Sequence, residues 1–372
     1  MTQAIRLAER GLYTTRPNPR VGCVLVLNGA VIAEGWHHRA GGPHAERVAL
    51  AAAGTRARGA TAYVSLEPCC HQGRTPPCSD ALIEAGVARV VAAMEDPNPL
   101  VAGQGLAQLA QAGVQVESGL LEAQAQALNP GFVKRMTQGL PWVRCKLAMS
   151  LDGRTALASG ESQWITGAAA RRDVQRLRAR SEAIVTGIDT VLADDPSLNV
   201  RLDPTDLPSL EAGETVLQPL RVVLDSRLRM PASARMFELP GQILVLCIDS
   251  DPSHAVGLET AGARVQPLPE ARGQVDLEAA FRYLAQQEIN EVLLETGPTL
   301  AGAALGAGLV DELIVYMAPH LLGDTARGLF SLPVLRHMRQ RLELEITDIR
   351  AVGGDWRIQA RPRTTVLDGG FI

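Results

Sequence analysis

The stretch Gly42-Pro43-His44-Ala45-Glu46, followed downstream by Leu66-Glu67-Pro68-Cys69-Cys70 and then by Cys78, decides how the first part of the chain is read. Imidazole nitrogen and thiolate sulfur are natural ligands of zinc, and a zinc that does chemistry takes three protein ligands and keeps a fourth position for water. His44, Cys69 and Cys78 supply such a set. Glu46, two residues after the histidine, does not easily join the same tetrahedron, but it can stand beside the water and carry protons. Alone it would read as a solvated carboxylate in the first turn of a helix. A buried histidine and two core cysteines that never meet are one alternative, and the Pro-Cys step with a carboxylate at this offset argues against it. A structural zinc is another; it wants four protein ligands, and Cys70 could be the fourth. Cys69 is preferred because it directly follows the proline.

Working outward, 372 residues exceed one ordinary core and favour more than one domain. A composition of 46% hydrophobic and 20% charged residues is that of a soluble globular protein. Arg6, Glu9 and Arg10 interrupt the apolar run that a secretory signal would need, so a cytoplasmic location is expected. A net charge of -4 with 3% aromatics argues against a surface built for nucleic acid and favours a small-molecule substrate. Half of the six cysteines cluster in one stretch, which points to metal rather than disulfides. Cys23, Cys145 and Cys247 sit in apolar, strand-like runs and read as core residues.

Along the chain, a helix is expected over 2–13 with Thr2 as its N-cap. Asn28-Gly29 between two β-rich runs predicts a hairpin. A helix over 44–53 starts at the metal candidate, a strand covers 61–66, and Cys69 lies just past its end. Helices over 79–85, 105–112 and 123–136 then alternate with strands over 89–94 and 114–116, the pattern of an α/β layer sandwich. The pattern restarts around Gly139-Leu140-Pro141, so domains over 1–140 and 141–372 are expected. The second alternates as well, with strands over 142–148, 183–186, 221–224, 243–247, 291–295, 313–317 and 342–349 and helices over 171–180 and 277–287. Residues 203–219 read as a surface loop and 364–372 as a frayed tail. Lys146, Ser150, Asp152 and Arg154 form a polar alternation that an exposed strand end explains equally well. After Glu295, a Gly-Pro turn leads into a small-residue helix whose free amides could bind phosphate, although tight packing alone accounts for such a turn.

The H-x-E and P-C pattern is that of zinc deaminases, here with Cys78 set beyond a longer loop than the short form has. Longer strings are more specific. Asn18-Pro19-Arg20-Val21-Gly22, Gly73-Arg74-Thr75-Pro76-Pro77-Cys78, Lys146-Leu147-Ala148-Met149-Ser150-Leu151-Asp152-Gly153-Arg154-Thr155, Gly160-Glu161-Ser162-Gln163-Trp164-Ile165-Thr166, Val191-Leu192-Ala193-Asp194-Asp195-Pro196 and Glu295-Thr296-Gly297-Pro298-Thr299-Leu300 occur together. With them the chain resembles, over nearly its whole length, the bacterial bifunctional deaminase/reductases of riboflavin biosynthesis. Cys70 and Gln72 depart from the serine and histidine of many relatives.

The resemblance implies a cytidine-deaminase-like α/β/α sandwich followed by a dihydrofolate-reductase-like α/β domain. The first would use Zn2+ to remove the 2-amino group of a diaminopyrimidinone ribosylamino phosphate, and the second would use NADPH to reduce the ribosyl chain to ribityl. His44, Cys69 and Cys78 would hold zinc, with Glu46 as the catalytic proton carrier. Ala148, Trp164, Thr190, Asp194, Ser226 and the turn Gly297-Pro298-Thr299-Leu300-Ala301-Gly302-Ala303 would line the cofactor site, and Ser162, Arg178, Leu198, Arg201 and Glu295 would meet the substrate. A homo-oligomer is expected, and Arg74 is a candidate substrate contact. Competing readings are a nucleoside or base deaminase with an inactive second domain, and a zinc-bearing protein that senses a metabolite.

Overall fold

The computed structural model describes residues 1–71, 76–208, 210, 213–248 and 252–363. Contacts divide the chain into two units, Met1–Leu140 together with Asp203–Leu217, and Pro141–Leu202 together with the chain from Gln218 onward. A single cut near residue 140 does not account for the Asp203–Leu217 segment. In its described residues that segment is the expected surface loop, a strap with some order of its own: a turn at Pro204–Asp206 carries a capping box between Asp203 and Asp206, and Leu207 is buried.

In the first unit α1 spans Thr2–Glu9, with Met1 rather than Thr2 at its cap, and a tighter turn at Arg10–Tyr13 completes it. Strands β1 (Gly22–Leu27) and β2 (Ala30–Trp36) form the expected hairpin. Asn28 and Gly29 turn it with φ of 50° and 79°, the left-handed pair a two-residue primed turn demands. The chain continues through α2 (Ala45–Ala53), β3 (Thr61–Val64), α3 (Cys78–Glu84), β4 (Arg89–Ala92), α4 (Gln104–Gln111) and β5 (Gln115–Glu117). One helix was expected over 123–136, but α5 (Glu122–Leu128) and α6 (Pro130–Gln138) are separate. Pro130 has no N–H to continue a helix and instead opens one. The sheet runs β2-β1-β3-β4-β5, antiparallel through β1 and parallel from β3 on. Cys23, Leu25, Val64, Leu82, Val90 and Leu109 fill its core.

The second unit comprises β6 (Trp142–Ser150), β7 (Arg154–Ala156), α7 (Ala168–Arg180), β8 (Ala183–Gly187), α8 (Ile188–Asp194), β9 (Leu220–Leu224), β10 (Ile243–Cys247), α9 (Pro252–Thr260), β11 (Ala263–Pro267), the short pair β12 (Glu270–Ala271) and β13 (Gln274–Val275), α10 (Leu277–Gln286), β14 (Glu291–Glu295), α11 (Pro298–Gly306), β15 (Glu312–Ala318), β16 (Arg327–Gly328), β17 (Leu344–Val352) and β18 (Asp355–Pro362). Its sheet is ordered β11-β10-β9-β8-β14-β6-β15-β18-β17, parallel up to β15 and antiparallel beyond, while β16 pairs with β7. At the amino ends of the central strands the buried Arg144 joins Glu291 and, at 2.6 Å, Glu312, clamping β6 to β14 and β15. Cys23, Cys145 and Cys247 are buried on β1, β6 and β10. No described helix is long and apolar enough to cross a membrane.

One close approach fixes the helix that carries His44. A Cβ built on Gly35 of β2 would stand 2.2 Å from the Ala45 carbonyl oxygen and 2.6 Å from the Ala49 nitrogen of α2. Gly35→Ala is therefore expected to push α2 off the sheet and cost about 1–3 kcal/mol of stability, measured as a lowered urea midpoint with an unchanged m-value. An unchanged midpoint would refute the close-packing argument.

Candidate functional site

Helices α2 and α3 present their first turns to one point. His44 is the N-cap of α2, extended at φ -73° and ψ 161°, and Cys78 is the first residue of α3. Cys69 lies between them in sequence, past the end of β3. Its carbonyl accepts from the Cys78 and Ser79 amides at 3.0 and 3.1 Å and from Ser79 Oγ at 3.1 Å, which ties its turn to the start of α3.

His44 Nδ1 is 3.5 Å from Cys69 Sγ and 3.3 Å from Cys78 Sγ, and the three donor atoms lie within 4.8 Å of one another. A tetrahedral zinc with ordinary Zn–N and Zn–S bonds needs an N-to-S edge of about 3.5 Å, so this donor set fits the ion. Cys70 is not part of the group. The Cys78 contact, helped by His44, draws the Cys69 thiol down to about 4 against the desolvation that opposes it, while the same contact and burial push Cys78 upward. The Cys69 hydrogen bond in turn raises His44.

Glu46 is almost fully buried in the first turn of α2. Burial, reinforced by the Cys69 charge, pushes its carboxyl up to about 7. Its Oε2 is enclosed and meets no hydrogen-bond partner among the described residues. A buried carboxylate oxygen left unpaired is costly unless it has a partner elsewhere, and a dication on the neighbouring donors would favour the ionised form.

Several nearby groups escaped the sequence reading. His37 is buried, with Nδ1 3.0 Å from the Pro43 carbonyl and Nε2 3.0 Å from Asn18 Nδ2. Because the carbonyl only accepts, these partners assign the hydrogen to Nδ1 and let Nε2 accept from Asn18. Burial lowers its pKa, and its ring meets that of His44 edge-on at 5.2 Å. Asp96 is a second buried carboxyl, raised to about 7 by burial, with the charges of Glu67 and Cys69 adding to the effect and the Asn98 amide opposing it. The strap also reaches this region: Glu214 pairs with Arg39 and, at 3.3 Å, with His38, and the Leu217 carbonyl accepts from Arg16 Nη2 at 2.8 Å. Arg74 and its neighbours 72–75 lie outside the described residues.

In the second unit a charge cluster forms at the carboxyl end of β14. Arg178 grips Glu295 with both prongs, Nε to Oε1 at 2.6 Å and Nη2 to Oε2 at 3.0 Å, and donates to the Asn199 carbonyl at 3.1 Å. Lys146 Nζ stands 3.9 Å from Glu295 Oε2. Burial opposes ionisation of Glu295, but Arg178, Lys146 and Arg201 together hold its pKa below the usual range. Burial in turn lowers Lys146 and Arg201. Lys146, which an ordinary strand position could have explained, therefore belongs to this cluster.

Other expected residues distribute as follows. Ala148 is on β6, Thr190 and Asp194 are on α8, Ser226 follows β9, and Gly297 caps α11, whose first turn holds Pro298, Thr299, Leu300 and Ala301 ahead of Gly302 and Ala303. Among the described residues no side chain caps α11. A Cβ on Gly187 at the end of β8 would touch Leu300 at 3.4 Å, which brings the start of α11 beside that strand end. Trp164 is 70% exposed with the Arg171 guanidinium 4.5 Å above its ring. Ser226 Oγ is engaged inside the fold, donating to Gln274 and accepting from the Val275 amide, both at 3.0 Å. Ser162 lies on the connection between β7 and α7. Leu198 takes a left-handed backbone (φ 46°) and its side chain is buried in the core, so it can offer a ligand little but main chain. Carboxyl ends of parallel strands are where open α/β sheets bind their ligands.

Two family models match the chain: the RibD C-terminal domain over residues 141–358, and the cytidine and deoxycytidylate deaminase zinc-binding region over residues 1–94. The riboflavin biosynthesis protein RibD of Escherichia coli is 53% identical over 357 residues, covering 95% of this chain and 96% of that protein. The chain belongs to the RibD family. The RibD of Haemophilus influenzae is 49% identical over 98% of the chain and 96% of its own length. Among solved structures, Acinetobacter baumannii RibD superposes with a TM-score of 0.89 at 48% identity, covering 98% of both chains. A Thermotoga maritima diaminohydroxyphosphoribosylaminopyrimidine deaminase/5-amino-6-(5-phosphoribosylamino)uracil reductase does so with 0.83 at 32% identity, over 98% of this chain and 97% of that one. The fold is accordingly that of RibD, a cytidine-deaminase-like domain followed by a dihydrofolate-reductase-like α/β domain, and the chain is a deaminase and reductase of riboflavin biosynthesis with a zinc-binding His/Cys/Cys site.

Elemental analysis should find close to one zinc per chain. Cys69→Ser and Cys78→Ser should each lose most of it, and Cys70→Ser should keep it. Zinc loss in Cys70→Ser would mean that the ligand set is wrong.

Proposed function

We propose that residues 1–140 form the deaminase domain and hydrolyse the 2-amino group of 2,5-diamino-6-ribosylamino-4(3H)-pyrimidinone 5′-phosphate, and that residues 141–372 reduce the ribosyl chain of the product to ribityl with NADPH. The observation that carries the first step is the enclosed, unpartnered Oε2 of Glu46 in the turn that follows His44. Zinc held by His44, Cys69 and Cys78 supplies the Lewis acidity that activates water. Glu46 accepts a proton from that water as its oxygen bonds to the ring carbon, then delivers the proton to the exocyclic nitrogen as the carbon–nitrogen bond breaks and ammonia leaves. Burial serves this role by keeping the carboxyl's proton affinity near that of neutral solution.

For the second step, Ala148, Trp164, Thr190, Asp194, Ser226 and the turn 297–303 hold NADPH, which supplies the hydride. Ser162, Arg178, Leu198 through its main chain, Arg201 and Glu295 orient the substrate. Arginine suits this task because its planar fork matches phosphate oxygens; in Arg178 that fork grips Glu295 and holds the carboxylate in place before any ligand arrives. The location that fits such an enzyme is the cytoplasm.

The working form is a homo-oligomer joined through the last two strands. A bulge near Thr347 lets Leu344, Ile346 and Ile349 of β17 share one face with Trp356 of β18, and these side chains are 44%, 57%, 53% and 46% exposed. A contiguous apolar face on an edge hairpin suits a second copy of the chain. Replacing Ile346 and Ile349 by Asp should convert the assembly to monomer in sedimentation velocity, and an unchanged assembly would exclude this face.

Glu46→Gln should retain zinc and lose ammonia release by about 10²–10⁴-fold, while NADPH oxidation with the deaminated substrate continues at its original rate. Deamination at the original rate in that variant would reject the proton-transfer role. Absence of NADPH oxidation by the unmodified enzyme at any substrate level would reject the reductase assignment.

A further inference from the structure

Glu67 precedes the ligand Cys69 by two residues and is almost fully buried. Its carboxylate accepts four main-chain hydrogen bonds. Oε1 takes the amides of Gly105 at 2.9 Å and Leu106 at 3.2 Å, in the first turn of α4, while Oε2 takes those of Asp96 at 3.0 Å and Gly103 at 2.9 Å. On its main-chain side, the Glu67 amide donates to the Met94 carbonyl at 3.0 Å. One side chain therefore joins the turn that ends at Cys69 to the chain after β4 and to the start of α4. The junction has no slack: a Cβ on Gly105 would fall 2.0 Å from the Pro68 carbonyl oxygen and 3.2 Å from Glu67 Oε1.

We propose that Glu67 is the positioning residue of the metal-binding turn, fixing Cys69 Sγ at its distance from His44 and Cys78 by anchoring the turn to the 96–106 segment. Four converging N–H groups need a side chain with two oxygens that both accept. Neutral replacements leave two or more of these buried donors unsatisfied, and a buried unsatisfied donor drives the surrounding main chain to move. Cys69 is where that movement is transmitted, because Pro68 is wedged against Gly105 on one side and the Cys69 carbonyl is bonded to the start of α3 on the other. The proposal rests on the reading of His44, Cys69 and Cys78 as metal ligands.

Cobalt(II) substituted into the full-length chain separates positioning from general support. Visible absorption bands of cobalt report the number and geometry of its thiolate ligands, which a loss of helix stability alone does not alter in the folded protein. Glu67→Gln has the right shape, but its amide nitrogen must face one pair of donors. We expect it to bind cobalt with shifted and weakened bands, to need at least about tenfold more free metal for half-saturation, and to deaminate at least about tenfold more slowly, while NADPH oxidation with the deaminated substrate is unchanged. Gly105→Ala, which forces the same junction apart from the other side, should give the same spectral change and keeps the test open if Glu67→Gln does not accumulate. Unaltered cobalt bands and affinity in both variants would overturn the positioning role alone. Failure of the unsubstituted chain to take up cobalt would overturn the metal reading on which it rests.

Discussion

Three donor atoms bind one ion only if the chain brings them within bonding reach of a common point, and here that demand falls on the first turns of two helices. α2 is held to the hairpin at Gly35, where a hydrogen replaces a side chain, and α3 is held to the Cys69 turn through that residue's carbonyl. With both helices set, the histidine at the N-cap of α2 meets Cys69 and the cysteine opening α3 at the nitrogen-to-sulfur distances a tetrahedral ion requires. Glu46 then follows from helix geometry: two residues past the N-cap it turns into the enclosed space beside the donors, and its desolvation is a consequence of that enclosure.

The second unit separates its buried charges by strand end. Arg144 and Arg180 balance Glu291 and Glu312 at the amino ends of β6, β14 and β15. Two residues along β6 and four along β14, on the same side of the pleat, Lys146 and Glu295 meet Arg178 at the opposite end. The first network has its charges mutually satisfied and clamps strands. In the second, the arginine fork saturates the carboxylate while Lys146 stands farther off, so the cluster carries an excess of positive charge.

Local signals carried much of this in the sequence. Asn28-Gly29 dictates its turn through backbone sterics, and the metal donors announce themselves by residue type and spacing. Strands β8, β9, β10 and β14 read as largely apolar runs because a parallel sheet covered on both faces buries most of their side chains. What stayed hidden depended on tertiary partners. β18 (Asp-Trp-Arg-Ile-Gln-Ala-Arg-Pro) is the exception: its strict polar-apolar alternation is a strand signal in its own right, and β15 and β17 flank it. Glu67, His37 and Asp96 are ordinary polar residues in sequence, and only the amides, carbonyls and thiolate gathered around them reveal their surroundings. Leu198 places its apolar side chain in the core, and only its main chain is proposed to face a ligand.

Asp203–Leu217 makes the first unit discontinuous in sequence. The chain leaves that unit after Leu140, returns at Asp203 and leaves again after Leu217. A polypeptide ended at residue 140 would lack Glu214 and Leu217, which brace the loops ahead of His44.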